Sequence, residues 1–217
     1  RFVGRVAKVQ AIGNRLLKNQ MSSTYITGQK RIGKTSLAQA VLRYVIAHAP
    51  APITFETFYL EWGAYCAADA AGTVKALGEE LHAFLRPHLP KGVELPAPVF
   101  DGSLAPLNTI ARLLETSRPD KRFVIVLDEF DEIHPEMYRH GPLAEAFFAN
   151  LRTLGARKNL AFILVGGEKM PFIIGAQGDQ LNKFGREPLD YFSRSDEWTD
   201  YVELITGPVK DGLNWEE

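Results

Sequence analysis

Apolar positions along the chain follow two kinds of spacing. Where they recur every three or four residues, the pattern predicts amphipathic helices, and where β-branched and aromatic residues cluster in short runs, it predicts strands. The predicted helices lie in the first twenty residues, then at 34–48, 74–85, 103–114 and 142–155, and finally at 195–206. The predicted strands are 24–28, 53–60, 123–127 and 160–165.

The order of these elements indicates the class of fold. The runs 123–127 and 160–165 consist of consecutive apolar residues, which is typical of parallel strands that are covered on both faces. Strands alternate with helices along the chain, and this alternation favours an α/β fold with a parallel sheet. Residues 87–103 are rich in proline, so we expect a long loop there.

Composition excludes several classes of protein. Hydrophobic residues make up 46% of the chain and charged residues 24%, close to the average for soluble globular proteins. The net charge of −1 provides no global basic field for nucleic acid or an anionic membrane, although a local patch can form. Cys66 is the only cysteine, which favours a reducing, cytoplasmic compartment. We find neither an apolar run of about 18 residues nor a signal peptide, and we expect no membrane partner.

A segment between the first predicted strand and the second predicted helix has the pattern G-x-x-x-x-G-K-T. A polyphosphate needs backbone N–H groups close around it, and glycines together with a helix N-terminus supply them. Lys34 is predicted to be catalytic by placing its ammonium between the β- and γ-phosphates, and the Thr35 hydroxyl can ligate Mg²⁺. The predicted nucleotide-binding residues of this segment are Gly28, Gln29, Lys30, Arg31, Ile32, Gly33, Lys34, Thr35 and Ser36.

Two carboxylates, Asp128 and Glu129, directly follow the third predicted strand. The carboxyl ends of parallel strands open onto one edge of a sheet, so we expect Asp128 near Lys34 if their strands are close. We predict that Asp128 holds Mg²⁺ through its water shell and that Glu129 is the catalytic group that polarises the attacking water. The alternative is a solvated turn, which is also how we mainly interpret Asp131 and Glu132.

These motifs, preceded by an F-V-G-R segment at the start of the chain, resemble the ATPase core of the STAND and AAA+ class of P-loop NTPases. The similarity is greatest to STAND-like and archaeal-type bacterial ATPases. It implies a three-layer α/β/α sandwich around a parallel five-stranded sheet of order 5-1-4-3-2, with ATP or ADP and Mg²⁺ as cofactors. It also implies that Val3, Gly4 and Arg5 lie near the adenine base. The alternative is an entry segment that plugs the edge of the core.

The same resemblance divides the chain into three parts. Residues 1–22 are the entry segment and first helix, 23–194 the NTPase core, and 195–217 the start of a truncated lid. Members usually carry a polar sensor residue at the tip of the fourth strand, where this chain has a glycine pair followed by Glu168 and Lys169. One of these two takes that role, or the segment is a plain charged loop.

Other features point less directly to function. Residues 170–183 are rich in glycine and amide side chains, and we interpret them as a connector between strands or a mobile loop that reads a partner. The histidines lack metal-ligand spacing with each other or with Cys66. Candidates for an arginine finger, each interpreted first as surface charge, are Arg139, Arg152, Arg157, Arg186 and Arg194.

The leading interpretation is Mg²⁺-dependent ATP binding and hydrolysis by a STAND-type switch domain of a larger signalling or antiviral defence protein. ATP would favour self-association through this domain, and hydrolysis at Glu129 would reset it. The expected partners are the nucleotide, other copies of the domain, and trigger or effector domains outside this stretch of chain. The alternatives are a DNA-associated AAA+ loader or remodeller and a non-hydrolysing nucleotide-binding scaffold.

Overall fold

The computed structural model describes residues 4–176, 178–192 and 197–210. Within them, one parallel sheet has the strand order β2-β3-β4-β1-β5, which is the predicted order read from the opposite edge. The predicted fold class is therefore confirmed. The strands are β1 (Thr24–Gly28), β2 (Thr54–Glu61), β3 (Lys121–Asp128), β4 (Leu160–Gly166) and β5 (Gly185–Leu189).

Helices connect the strands and cover both faces of the sheet. They are α1 (Val6–Leu17), α2 (Lys34–Ala47), α3 (Ala70–Leu85), α4 (Leu107–Ser117), α5 (Pro142–Gly155), α6 (Met170–Ala176) and α7 (Trp198–Lys210). Pro142 begins α5 as the sequence predicts, because its fixed φ and missing N–H suit the first turn of a helix. Among the described helices, none combines the length and the apolar composition needed to cross a bilayer.

Alternating side chains of the central strands build two separate cores. Val124 and Val126 of β3 pack on one side with residues of α1 and α2. Ile125 and Leu127 pack on the other side with residues of α3, α4 and α5. Because both faces are covered, β3 and β4 are almost continuously buried, which explains their uninterrupted apolar sequences.

The start of α4 differs from the prediction. The pattern predicts a helix from residue 103, whereas α4 begins at Leu107 after Pro106, so Ser103 lies outside the helix and does not cap it. The Ser103 hydroxyl instead accepts a hydrogen bond from the Ala105 N–H (3.1 Å) and donates one to Asn150 Oδ1 (2.8 Å). A serine oxygen serves a local turn as readily as a helix N-terminus, and here the turn and the contact with α5 prevail.

Two segments are more helical than the sequence pattern indicates. Residues 170–183, expected as a connector or loop, form α6 and a 3₁₀ turn over Gly178–Leu181. Helix α7 continues through Gly207 and Pro208, where the prediction ends it. Proline removes one backbone donor but has a φ compatible with a helix, so it need not end one. The predicted first residue of this helix, Ser195, lies outside the described residues.

Candidate nucleotide-binding site

The predicted phosphate loop lies at the carboxyl edge of the sheet, between β1 and α2. Gly28 ends β1, and a Cβ there would stand 2.3 Å from the Leu189 carbonyl oxygen of β5, so only glycine fits. Gly33 has φ 92°, and a Cβ there would meet nothing within 4 Å. The loop thus combines a close backbone approach at one glycine with a left-handed turn facing open space at the other.

The N-terminus of α2 opens onto this loop. Gly33 occupies the N-cap and has no side chain to satisfy the first-turn N–H groups of Lys34, Thr35 and Ser36. Arg31 also adopts a left-handed conformation, with φ 62°. Backbone donors at the positive end of a helix dipole, beside an open space, fit a phosphate group.

The side chain of Lys34 folds back onto the phosphate loop. Its Nζ donates hydrogen bonds to the carbonyl oxygens of Gly28 (3.1 Å) and Gln29 (2.7 Å). Burial lowers the pKa of its ammonium, and the nearby carboxylates of Asp131 and Asp128 oppose that shift. The structure therefore brings the loop lysine and the acidic turn after β3 to the same crevice.

Thr35 and Asp128 are in direct contact across this crevice. The Thr35 hydroxyl donates to Asp128 Oδ2 at 2.7 Å, and Asp128 Oδ1 accepts from the Glu129 N–H at 2.8 Å. Among the described residues, no group of three or more His, Cys, Asp or Glu could hold a metal ion. A hydroxyl and a carboxylate still fit Mg²⁺, because that ion prefers oxygen ligands and takes others from water and phosphate.

Glu129 starts the turn that follows β3. Its φ of 55° is left-handed, which is uncommon for a residue with a side chain, and its carboxylate is exposed. Partial burial raises its pKa, and the negative charges of Glu61 and Asp128 raise it further. The carboxylate predicted to act on water thus lies among like charges beside Asp128.

Two residues at this edge were not assigned a role by the sequence analysis. Tyr59 of β2 donates its hydroxyl to Asp128 Oδ2. Asp131, interpreted mainly as solvated charge, lies against the tip of β4, where its carboxylate oxygens stand 2.8 Å from the Cβ positions of alanines built at Gly166 and Gly167. The register of β2 on β3 is the signal needed to find Tyr59, and it is not visible in the sequence.

Arg5 is tied to the phosphate loop by its side chain. The guanidinium is buried and donates to the carbonyl oxygens of Ile32 (3.1 Å) and Asp190 (2.6 Å). Burial lowers its pKa, while the charges of Glu197 and Asp190 oppose the shift. Val3, predicted together with Arg5 to lie near the base, is outside the described residues.

Gly4 and Arg5 also contact the segment that leads into α7. The guanidinium carbon of Arg5 lies 4.6 Å from the centre of the Phe192 ring, and the Arg5 N–H donates to Asp200 Oδ2 at 3.2 Å. A Cβ at Gly4 would come within 2.8 Å of the same ring. Gly4 and Arg5 therefore connect the start of α1 with the phosphate loop and α7. Their predicted contact with the adenine base stays a prediction.

The remaining loop residues are more accessible. Lys30 is exposed, and Gln29 accepts a hydrogen bond from the Tyr191 hydroxyl at 2.6 Å. At the tip of β4, the charge of Glu168 acts on Lys34, whereas the neighbouring Lys169 is simply exposed.

One candidate arginine finger is committed elsewhere in the fold. Arg157 is paired with Glu115 at 3.1 Å and donates to the Asn108 carbonyl at 3.2 Å, so it is not surface charge available to another subunit. Arg186 is exposed, and Arg194 lies outside the described residues.

Comparison with known proteins places this site in a family. The chain is similar in structure to the Aeropyrum pernix ORC1 protein in complex with DNA (17% identity, TM-score 0.59, 94% of this chain and 50% of that one). It is also similar to the Aeropyrum pernix ORC2 protein in ADPNP–ADP complexes (18% identity, TM-score 0.61, 94% and 52%). Cdc6p from Pyrobaculum aerophilum matches at 15% identity and TM-score 0.56, over 95% of this chain and 50% of that one.

These likenesses concern the fold, and the chain spans about half the length of those proteins. No curated protein matches the chain. A sequence model described as an AAA ATPase domain matches residues 1–163. That match includes the phosphate loop and the acidic turn after β3, and it covers most of the chain. The chain therefore belongs to the AAA ATPase domain family.

Proposed function

We propose that this chain binds ATP with Mg²⁺, hydrolyses it, and acts as a nucleotide switch within a larger protein. The observation that carries the proposal is the 2.7 Å hydrogen bond from Thr35 of α2 to Asp128 of β3. It links the phosphate loop to the acidic strand end, although β4 lies between β1 and β3 in the sheet. Membership of the AAA ATPase domain family supports nucleotide binding.

The loop and α2 would hold the triphosphate. Backbone N–H groups of the loop and of the first turn of α2 would donate to phosphate oxygens, and Lys34 would exchange its carbonyl partners for the β- and γ-phosphates. Thr35 and Asp128 would hold Mg²⁺. When bound, this ion neutralises charge that develops on the phosphates.

Glu129 is the proposed catalytic base. Glu129 is exposed, follows Asp128 directly and has a left-handed backbone conformation. Burial first, and then repulsion from the neighbouring carboxylates, raises the pKa of Glu129 and so makes it a stronger base than an isolated carboxylate. We therefore assign it the role of orienting a water molecule and accepting its proton.

Arg5 supports the switch in this proposal. Its guanidinium holds a carbonyl of the phosphate loop and a carbonyl at the exit of β5, while its backbone contacts α7. A change in the loop on binding or hydrolysis would thus reach α7 through one residue, whose side chain contacts the loop and whose backbone N–H contacts α7. A STAND-type role in signalling or defence, with ATP favouring self-association, is the specific form we propose.

A second candidate is a DNA-associated ATPase. The observation in its favour is the likeness to ORC proteins, one of which was solved in complex with DNA. The near-neutral charge of the chain is against extensive phosphate contacts by this domain. Stimulation of hydrolysis by duplex DNA in the full-length protein would favour this candidate, and the absence of stimulation would favour the switch.

Calorimetric titration with ATP tests the proposal directly. We expect saturable ATP binding that tightens with Mg²⁺ and is lost in Lys34→Ala, because the ammonium that faces the phosphates is removed. Lys75→Ala is the matched control, since Lys75 is an exposed lysine on α3. A folded wild-type sample that gives no heat with ATP, with or without Mg²⁺, would overturn the proposal.

A further inference from the structure

Tyr59 reaches the nucleotide site from a strand that the proposed function does not use. It lies on β2, where Tyr59 pairs with Val126 and Glu61 pairs with Asp128. Side chains alternate along a strand, so Tyr59 and Asp128 lie on the same face of the sheet, the face covered by α2. The phenol donates to Asp128 Oδ2, the oxygen that also accepts from Thr35.

Three donors therefore fix one carboxylate. Thr35 of α2 and Tyr59 of β2 donate to Oδ2 of Asp128, and the Glu129 N–H donates to Oδ1. A carboxylate at a strand end can otherwise rotate about its side-chain bonds. Rotation here breaks contacts to both neighbouring elements, so the phenol limits the orientations that Asp128 can take.

Packing does not account for this contact. Tyr59 is 38% exposed, unlike the neighbouring Leu60, which is 1% exposed and belongs to the core. A partly exposed phenol contributes less to the stability of the fold than a core side chain, because part of its surface stays in water. Its hydrogen bond is thus better explained by its effect on Asp128 than by burial.

We propose that Tyr59 is a positioning residue that tunes the affinity of this site for Mg²⁺, an inference that rests on the proposed function. Tyr59 holds Asp128 in the orientation in which Oδ2 accepts the Thr35 proton. That leaves a lone pair of the Thr35 hydroxyl for the ion. Without the phenol, the Asp128 carboxylate samples other orientations. The Thr35 hydroxyl and Asp128 are then less often oriented to bind Mg²⁺.

The test measures metal affinity rather than activity. Calorimetric titrations give the dissociation constant of ATP in EDTA and at a series of Mg²⁺ concentrations, for the wild-type chain and for Tyr59→Phe. We expect ATP binding in EDTA to stay unchanged, and the Mg²⁺ concentration for half-maximal enhancement to rise about tenfold, as for loss of one hydrogen bond to a charged group. Tyr44→Phe is the matched control, because it removes from α2 a phenol that donates to Asn14 Oδ1 of α1 at 3.1 Å.

The outcomes separate this inference from the proposed function. If the dissociation constant of ATP for the wild-type chain does not change with Mg²⁺, the proposed metal site itself is overturned. A normal Mg²⁺ response in the wild type that Tyr59→Phe leaves unchanged overturns only the role of Tyr59. Equal loss of binding in EDTA and in Mg²⁺ also overturns it, because a structural role would produce that result. Tyr59→His restores a ring N–H donor. Its Mg²⁺ concentration for half-maximal enhancement is expected to lie between those of the wild-type chain and Tyr59→Phe.

Discussion

The two edges of the sheet treat carboxylates in opposite ways. At the amino edge, Glu56 is paired with Lys121, and Asp120 lies 3.0 Å from the guanidinium of Arg118. That pairing holds the pKa of Asp120 below its usual value. At the carboxyl edge, the pKa of Glu129 is raised, first by burial and then by neighbouring carboxylates. The amino edge is arranged for stability, whereas the carboxyl edge gathers like charges beside a phosphate-binding loop.

The largest difference between the edges should appear in turnover. Glu129→Gln is expected to retain ATP binding and to lose about 10²- to 10⁴-fold in hydrolysis, because the amide cannot accept a proton from water. Glu56→Gln makes the same change at the amino edge and should leave turnover unchanged. Phosphate release under saturating ATP measures both, and unchanged turnover in Glu129→Gln would remove it as the base.

Loss of an ion pair at the amino edge should lower the stability of the fold more than loss of an exposed ion pair elsewhere. Lys121→Ala removes the cation nearest to the half-buried carboxylate of Glu56, and His88 stands farther from that carboxylate, at 3.9 Å. We expect the free energy of unfolding to fall by about 1 kcal/mol in urea denaturation. Lys75→Ala breaks an exposed pair with Glu79 and should change it by a few tenths of a kcal/mol at most. Equal losses in the two variants would contradict the contrast.

The same substitution that stops turnover should stabilise the fold at neutral pH. The raised pKa of Glu129 means that its ionised form costs folding free energy, and Glu129→Gln removes that cost. The gain should shrink as pH falls through the raised pKa and disappear below the ordinary value of 4.5, where the glutamic acid is protonated in both states. Melting temperatures of the wild-type chain and Glu129→Gln across a range of pH measure this gain in stability. A gain that increases toward acid pH would contradict the prediction.

The smallest expected effect has the opposite sign. Because the pKa of Asp120 is lowered by Arg118, Asp120→Asn should destabilise the fold slightly at neutral pH. The difference is present above the ordinary value of 3.8 and is lost as pH falls through the folded-state pKa. High salt should also reduce it, because the pair is exposed. Melting curves at low and high salt check this, and a salt-independent difference would argue against an ion-pair origin.

The elements that the sequence predicts correctly depend on local patterns. The apolar run 123–127 and the glycines of the phosphate loop are sufficient by themselves to predict a buried strand and a strand–loop–helix turn. The strand order follows from the family resemblance rather than from any local pattern. Thr35 and Asp128 could be expected to meet because carboxyl ends of parallel strands share an edge.

What the sequence does not reveal depends on register and side-chain competition. Tyr59 contacts Asp128 because β2 pairs with β3 in one register, and a shift of one residue would turn it to the other face. Asp131 cannot be distinguished from solvated charge until the glycine pair at the tip of β4 is seen to leave room for its carboxylate. Ser103 has two competing uses, and only the position of Asn150 decides between them.

The corner built around Arg5 has a mechanical consequence. Arg5, just before α1, and Asp200, in the first turn of α7, are 195 residues apart in the chain, yet Arg5 connects both helices to the carbonyl of Ile32. A force applied along either helix converges on the same carbonyl of the loop. A displacement of either helix by a neighbouring domain would therefore reach the phosphate loop through Arg5, without passing through the sheet.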